Sequence, residues 1–277
     1  MKFMRVLSEL YCKPCVIEPA MHKKICDIVD AHISGNMDNL AFLDMPSQEP
    51  VKMEMFEDIA VIPIHGVISK HVGNIEKSSG MADVDDIEAM VYEAMEDGAV
   101  NGILFDVNSP GGGITGVPEL ARLISQATDA MPTLAYTDEL MASAAMWLAA
   151  GCGSIYASQT AKVGSIGVYM AFLDQSRAME MAGLKVELIK AGRLKGMGIP
   201  GTELTDEMRD MLQAEVDKVY GWFTSHVQAN RYVGFESMQG QAFFDEDAVA
   251  RGLVDRIGSR RDAVRELQHM IIRETGG

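Results

Sequence analysis

The stretch Gly102-Ile103-Leu104-Phe105-Asp106-Val107-Asn108-Ser109-Pro110-Gly111-Gly112-Gly113 holds the key to the fold. Gly102–Val107 is a short, mostly apolar run, the pattern of a strand buried in a sheet. It ends in Asn, Ser, Pro and three glycines, residue types that stop a strand and permit unusual backbone angles. Helical spacing follows from about Val117 to Thr128. Pro118 falls in the first turn, where a proline has no hydrogen bond to lose. Strand, glycine turn and helix in this order make one α/β unit.

The pattern recurs on both sides. Upstream, Ile59–Ser69 is a β-branched strand broken by Pro63 and Gly66. A helix over Val84–Asp97 follows, its apolar stripe including Ile87, Met90, Val91 and Ala94, with acidic residues opposite. Downstream, the residues predict strands at Pro132–Tyr136, Ser154–Ala157, Gly164–Met170 and Val186–Ile189, and a small-residue helix at Ala144–Ala150. The last third reads as helices over Asp206–Asn230, Asp245–Arg251 and Arg260–Ile272. Repeated alternation predicts a layered α/β domain over residues 51–277. Residues 1–50 read as a small arm, with a helix near 19–34 and a linker around Leu43–Pro50.

Of the 277 residues, 48% are hydrophobic and 23% charged, the balance of a globular protein. The net charge of −16 argues against a nucleic-acid surface. No run approaches the roughly 18–20 apolar residues of a membrane span. Lys2, Arg5, Glu9 and Lys13 interrupt the N-terminus, so no signal peptide is expected and the chain reads as cytoplasmic. Without export, Cys12, Cys15, Cys26 and Cys152 do not suggest a disulfide framework. Cys12 and Cys15 form a C-x-x-C with His22 and Cys26 nearby, a conceivable zinc set. No second C-x-x-C accompanies it and Pro14 sits inside the pair, so no metal is expected. The glycine turn lacks the Gly-Lys-Ser/Thr of a phosphate loop, and no cofactor is expected.

Two segments can carry chemistry. The glycines at 111–113 could bring bare N–H groups close to a substrate, as half of an oxyanion hole. They would equally suit a tight turn with positive φ. Met141-Ala142-Ser143-Ala144-Ala145-Met146-Trp147 places a serine among small residues at the start of a helix, where the dipole favours negative charge. Ser143 could be a nucleophile there, or only a helix cap. None of the six histidines lies between His71 and His226, where both segments fall. A buried lysine is the better base, because desolvation favours the neutral amine. Lys195, in the glycine-punctuated Ala191-Gly192-Arg193-Leu194-Lys195-Gly196-Met197-Gly198, is the first candidate. It would be buried if that loop folded inward over Leu194 and Met197. Lys162, Lys185 and Lys190 sit at strand ends, where lysines usually reach water.

Asn108–Gly113, Ala142-Ser143-Ala144, Val163-Gly164-Ser165-Ile166-Gly167-Val168 and Lys195 follow one another in an order, with 52 residues from serine to lysine, that resembles the signal peptide peptidase A family of Ser-Lys proteases. The resemblance covers roughly residues 59–270. It implies a Clp protease/crotonase-like fold of stacked ββα units. It also implies Ser143 as nucleophile, Lys195 as base, the N–H groups of Gly112 and Ala144 as oxyanion hole, and Ser165 as the residue orienting the lysine. Leu10-Tyr11-x-x-Pro14 through Ile17-x-Pro19 is similar to the opening of the phage and prophage branch, which includes head (capsid) maturation proteases working inside the procapsid. That branch implies scaffold or portal proteins as substrates, host cytoplasm or procapsid as location, and a homo-oligomer. Val216, Val219, Trp222, Phe223 and the N-terminal arm are candidate contacts. Two other readings stay open: a catalytically silent assembly protein, and a crotonase-like acyl-CoA enzyme that would leave Ser143 and Lys195 idle.

Overall fold

The computed structural model describes residues 14–24, 26, 52–72, 80–171, 175–197, 199 and 201–275. Strands β1 (Cys15–Ile17) and β2 (Glu54–Phe56) precede a unit that is repeated. In its first copy β3 (Ile59–His65) leads through β4 (Ile68–Ser69) and β5 (Ala82–Asp83) to helix α1 (Val84–Glu96). The second copy is β6 (Gly102–Asn108), β7 (Gly111–Gly113) and α2 (Val117–Ala130). The third is β8 (Thr133–Thr137), β9 (Leu140–Ala142) and α3 (Ala144–Ala149). Strands β10 (Ser154–Ala157) and β11 (Lys162–Gly164) begin a fourth. The chain then runs through α4 (Ser176–Met181), α5 (Asp206–Asn230), β12 (Ala242–Phe243), α6 (Asp245–Ala250), β13 (Arg256–Ile257) and α7 (Arg260–Thr275).

The long strand of each unit enters a central sheet of order β13-β10-β8-β6-β3-β2, parallel except for the edge strand β2. A parallel sheet is covered on both faces, so its strands must be apolar nearly throughout. All of β8 is buried, and β6 is buried from Gly102 to Phe105. Trp147, Ile124 and Ile87 of the helices share one core with Ile62 and Phe105 of the sheet. Opposite, Ala263, Leu267 and Ile271 of α7 form a second core with Leu104, Leu134 and Tyr136. The second strand of each unit leaves for one of two smaller sheets, β1-β7-β4-β5 and β12-β11-β9. The stacked ββα architecture expected from the sequence is thus present.

Three expectations change. The strand over 164–170 ends at Gly164, because Ser165 turns the chain with φ 51°. Residues 184–190 form no strand and are mostly exposed; among the described residues no sheet edge receives them, and an unpaired segment has no ladder to hold it straight. Residues 15–17 of the arm are hydrogen-bonded into the body as β1, antiparallel to β7. Residues 19–24 and 26 are helical, while Ile25, residues 27–34 of the expected helix and the linker lie outside the described residues.

Candidate active site

Ser143 joins β9 to α3 with φ 56° and ψ −116°. This is backbone territory that only glycine enters without strain, and for serine it costs about 1–3 kcal/mol. The geometry is held from both sides. The Ser143 N–H donates to the Gly164 carbonyl at 2.8 Å, and its own carbonyl accepts from the Trp147 N–H at 2.9 Å. A mere helix cap would use its hydroxyl to accept from an N–H one turn on. The Ser143 hydroxyl makes no such bond, although the residue is only 1% exposed.

The glycine turn closes against this serine. A methyl carbon placed on Gly111 would lie 2.2 Å from the Val16 carbonyl oxygen, 2.8 Å from the Ala144 nitrogen and 2.9 Å from Ser143 Cβ. Gly111 has φ 91°, so both its backbone angle and its neighbours require glycine. Gly112 is paired with Val16 on one side and Ile68 on the other, and a methyl there would sit 1.8 Å from the Ile68 carbonyl oxygen. Backbone cannot yield as a flexible side chain can, and overpacking typically costs about 1–3 kcal/mol. Gly112→Ala is therefore expected to lower the unfolding midpoint in denaturant without changing its slope. An unchanged midpoint would show that this contact is slack.

Ala144 opens α3, and the first N–H groups of a helix have no intrahelical acceptor. That leaves its N–H available to an anion beside Ser143. Ser165 is buried, has positive φ and donates its N–H to the Gln241 carbonyl at 2.6 Å. It directly follows Gly164, whose carbonyl holds Ser143. Ser143, Ala144, the Gly111–Gly112 turn and the Gly164–Ser165 turn are therefore brought together.

Ser109 is a member of this assembly that reading the sequence left without a role. Fully buried, it donates its hydroxyl to the Gly66 carbonyl at 2.6 Å and accepts from the Gly111 N–H at 3.1 Å. Its N–H donates to Leu140 at 2.8 Å, and its carbonyl accepts from Ala142 at 3.0 Å. One residue thus ties the glycine turn to the strand that delivers Ser143. The available signal was a hydroxyl between a buried strand and its glycines.

Lys195 is not brought to Ser143. It is exposed on a turn where its N–H donates to the Gly192 carbonyl at 3.1 Å. The expected inward fold over Leu194 and Met197 is not made within one chain. Nearby, Lys190 donates to the Arg193 carbonyl and Arg193 pairs with Glu207, which tethers the loop to the start of α5. Gly198 lies outside the described residues. Lys185 pairs with Glu187, Lys162 is exposed on β11, and neither touches Ser143. Three described histidines are engaged elsewhere: His22 with Tyr169, His65 with Asp106, His71 with Asp85. Burial lowers the pKa of His226, which bonds to the Trp147 backbone behind α3. There Trp147 also stacks on Phe223 of α5, ring centres 4.5 Å apart and planes within 6°.

Among the described residues, no three His, Cys, Asp or Glu side chains converge as metal ligands, and Cys12 of the C-x-x-C lies outside them. No described helix is long and apolar enough to cross a membrane.

The family model of peptidase family S49 matches residues 125–271, more than half of the chain, from within α2 to within α7. The chain belongs to peptidase family S49. S49 is a serine peptidase family, and the match takes in Ser143, Ser165 and Lys195. The chain is 31% identical over 216 residues to the capsid assembly protease C of Escherichia phage lambda, covering 76% of this chain and 49% of that protein. It is 31% identical over 209 residues to the head-tail preconnector protein of Enterobacteria phage P21, covering 74% of this chain and 42% of the relative. The chain thus spans about half the length of these curated relatives. Among solved structures it is similar to an enoyl-CoA hydratase/isomerase (crotonase) of Legionella pneumophila, with TM-score 0.47 and 14% identity, covering 81% of this chain and 76% of that one.

Proposed function

We propose that this S49 chain is a serine endopeptidase with Ser143 as nucleophile and Lys195 as general base, acting on scaffold or portal proteins of a phage or prophage head. The observation that carries the reading is the strained Ser143, held at a helix start with its hydroxyl excused from capping. In this mechanism the Ser143 Oγ attacks a peptide carbonyl while Lys195 takes its proton. The N–H groups of Gly112 and Ala144 receive the oxyanion, and Lys195 returns the proton to the leaving amine. Water then hydrolyses the acyl-enzyme. Ser165 orients the amine of Lys195. The capsid assembly protease of phage lambda supports the head assignment, and host cytoplasm or procapsid is the matching location.

A complete site needs Lys195 desolvated, and one chain leaves it exposed. Met181, Leu184, Ile189 and Ile199 are exposed around it, and Trp222 is exposed on α5. Val219 and Phe223, expected as contacts, instead face the chain's own core. A second copy covering the 181–199 segment would bury these apolar groups and the lysine together. The expected result in light scattering is a mass several times 30.2 kDa. Ile189→Asp should yield smaller species with little activity. A fully active monomer would remove this part of the reading.

The test of the function is co-expression with neighbouring head proteins, with products identified by mass spectrometry. Cleavage fragments should appear, together with labelling of Ser143 by a fluorophosphonate. A silent assembly protein or an acyl-CoA enzyme would show neither.

A further inference from the structure

The groove beside Ser143 is occupied by the chain itself. Strand β1 lies antiparallel along β7 with Cys15 opposite Gly113, Val16 opposite Gly112 and Ile17 opposite Gly111. On its other side Cys15 exchanges both backbone bonds with Tyr169, at 2.8 and 3.2 Å. β1 is therefore clamped between the glycine strand and the chain just after the Gly164–Ser165 turn. The glycine strand lies against Ser143, and the other wall follows Gly164, whose carbonyl accepts from the Ser143 N–H.

The register is informative. Glu18 donates its N–H to the Pro110 carbonyl at 2.7 Å. Antiparallel pairs alternate between bonded and non-bonded, so Val16–Gly112, two residues along, is a bonded pair and the Val16 carbonyl accepts from Gly112. That same carbonyl oxygen is the atom that a methyl on Gly111 would meet at 2.2 Å, with Ala144 N at 2.8 Å and Ser143 Cβ at 2.9 Å from the same point. The Val16 carbonyl thus lies among the groups assigned to the oxyanion and the nucleophile. Pro14, Cys15, Val16 and Ile17 are all buried, Val16 fully.

We infer that Cys15–Ile17 is an internal, substrate-like ligand of the Ser143 groove, with Val16 in the position of the acyl residue. The inference rests on the reading of Ser143 as nucleophile and adds the substrate class. The groove takes an extended apolar peptide by strand addition, with an apolar β-branched residue at the acyl position. It also makes the site closed in this state: a substrate enters only when β1 leaves. Main-chain bonds supply most of the affinity of such an added strand, so the occupant and a substrate compete for the same Gly112 and Tyr169 groups.

The test uses the full chain carrying Ser143→Ala, so that nothing is cut, and a fluorescein-labelled peptide of residues 13–20. Val16→Pro removes the Val16 N–H from the ladder and should release β1. The peptide is expected to bind the Ser143→Ala/Val16→Pro chain at least tenfold more tightly than the Ser143→Ala chain, by fluorescence anisotropy. Equal binding by two chains with the same circular dichroism would overturn the inference. Should Val16→Pro fail to fold, amide exchange of the Ser143→Ala chain decides. Excess peptide should speed exchange at Cys15 at least tenfold and leave β6 unchanged, and no change at Cys15 overturns the inference. Neither readout involves catalysis, so a wrong nucleophile assignment would appear in activity measurements and leave these results untouched.

Discussion

Ser143→Ala is expected to abolish peptide hydrolysis while leaving the fold within about 1 kcal/mol of the parent. Loss of a serine nucleophile typically lowers turnover on the order of 10⁵–10⁶-fold. A helix cap would show a different balance, with a loss of about 0.5–2 kcal/mol in stability and no special effect on rate. The hydroxyl of Ser143 makes no capping bond, so stability should barely move. Ser143→Gly sharpens the test. Glycine adopts φ 56° and ψ −116° without the strain serine carries there, so this variant should be inactive yet at least as stable as the parent. Denaturant midpoints and single-turnover rates on the same preparations check both halves. Retained hydrolysis by purified Ser143→Ala would refute the assignment.

Lys195 invites the second large effect. A base must exist as the neutral amine, and a free lysine, with a pKa near 10.4, is almost wholly protonated at neutral pH. Arginine keeps the positive charge and much of the length but does not give up its proton. Lys195→Arg is therefore expected to be as inactive as Lys195→Ala, with the assembly state and folding of both unchanged. If charge alone mattered, Arg would restore activity, and the lysine would be an electrostatic element only. Mixing gives a further check. If desolvation comes from another copy, combining Ser143→Ala with Lys195→Ala chains should recover part of the lost activity wherever serine and lysine of different chains meet. Lys190→Ala, which only frees the Arg193 carbonyl, should stay active. An inactive Lys190→Ala with an active Lys195→Arg would reassign the base.

Much of this architecture was legible because its signals are local. A buried strand, a glycine turn and each turn of an amphipathic helix are set by neighbouring residues, and α2 and α5 start where Val117 and Asp206 were expected to start them. Ser143 stood out for the same reason, a lone hydroxyl among alanines at a helix start. What stayed hidden depends on residues far apart in the chain. Nothing in Cys15-Val16-Ile17 announces that its partner is Gly111–Gly113, nearly a hundred residues away. Ser109 looked like turn filler because its acceptor, Gly66, arrives from another unit. The strand expected at 186–189 failed for the converse reason. Its residues favour extension, but extension needs a neighbouring edge, and none of the described strands offers one there.

The Trp147–Phe223 stack has a consequence for the proposed assembly. Helix α3 has six residues, fewer than two turns, and a helix that short does not hold its shape alone. Its pose is inherited from what it leans on, and Phe223 belongs to the same 25-residue helix that offers Trp222 to the outside. If a second copy packs on Trp222 as proposed, it would push a lever whose short arm is the backbone of Ser143. On the proposed reading, assembly over Trp222 and the aim of Ser143 would be coupled through this stack, and a lone subunit would be an engine out of gear.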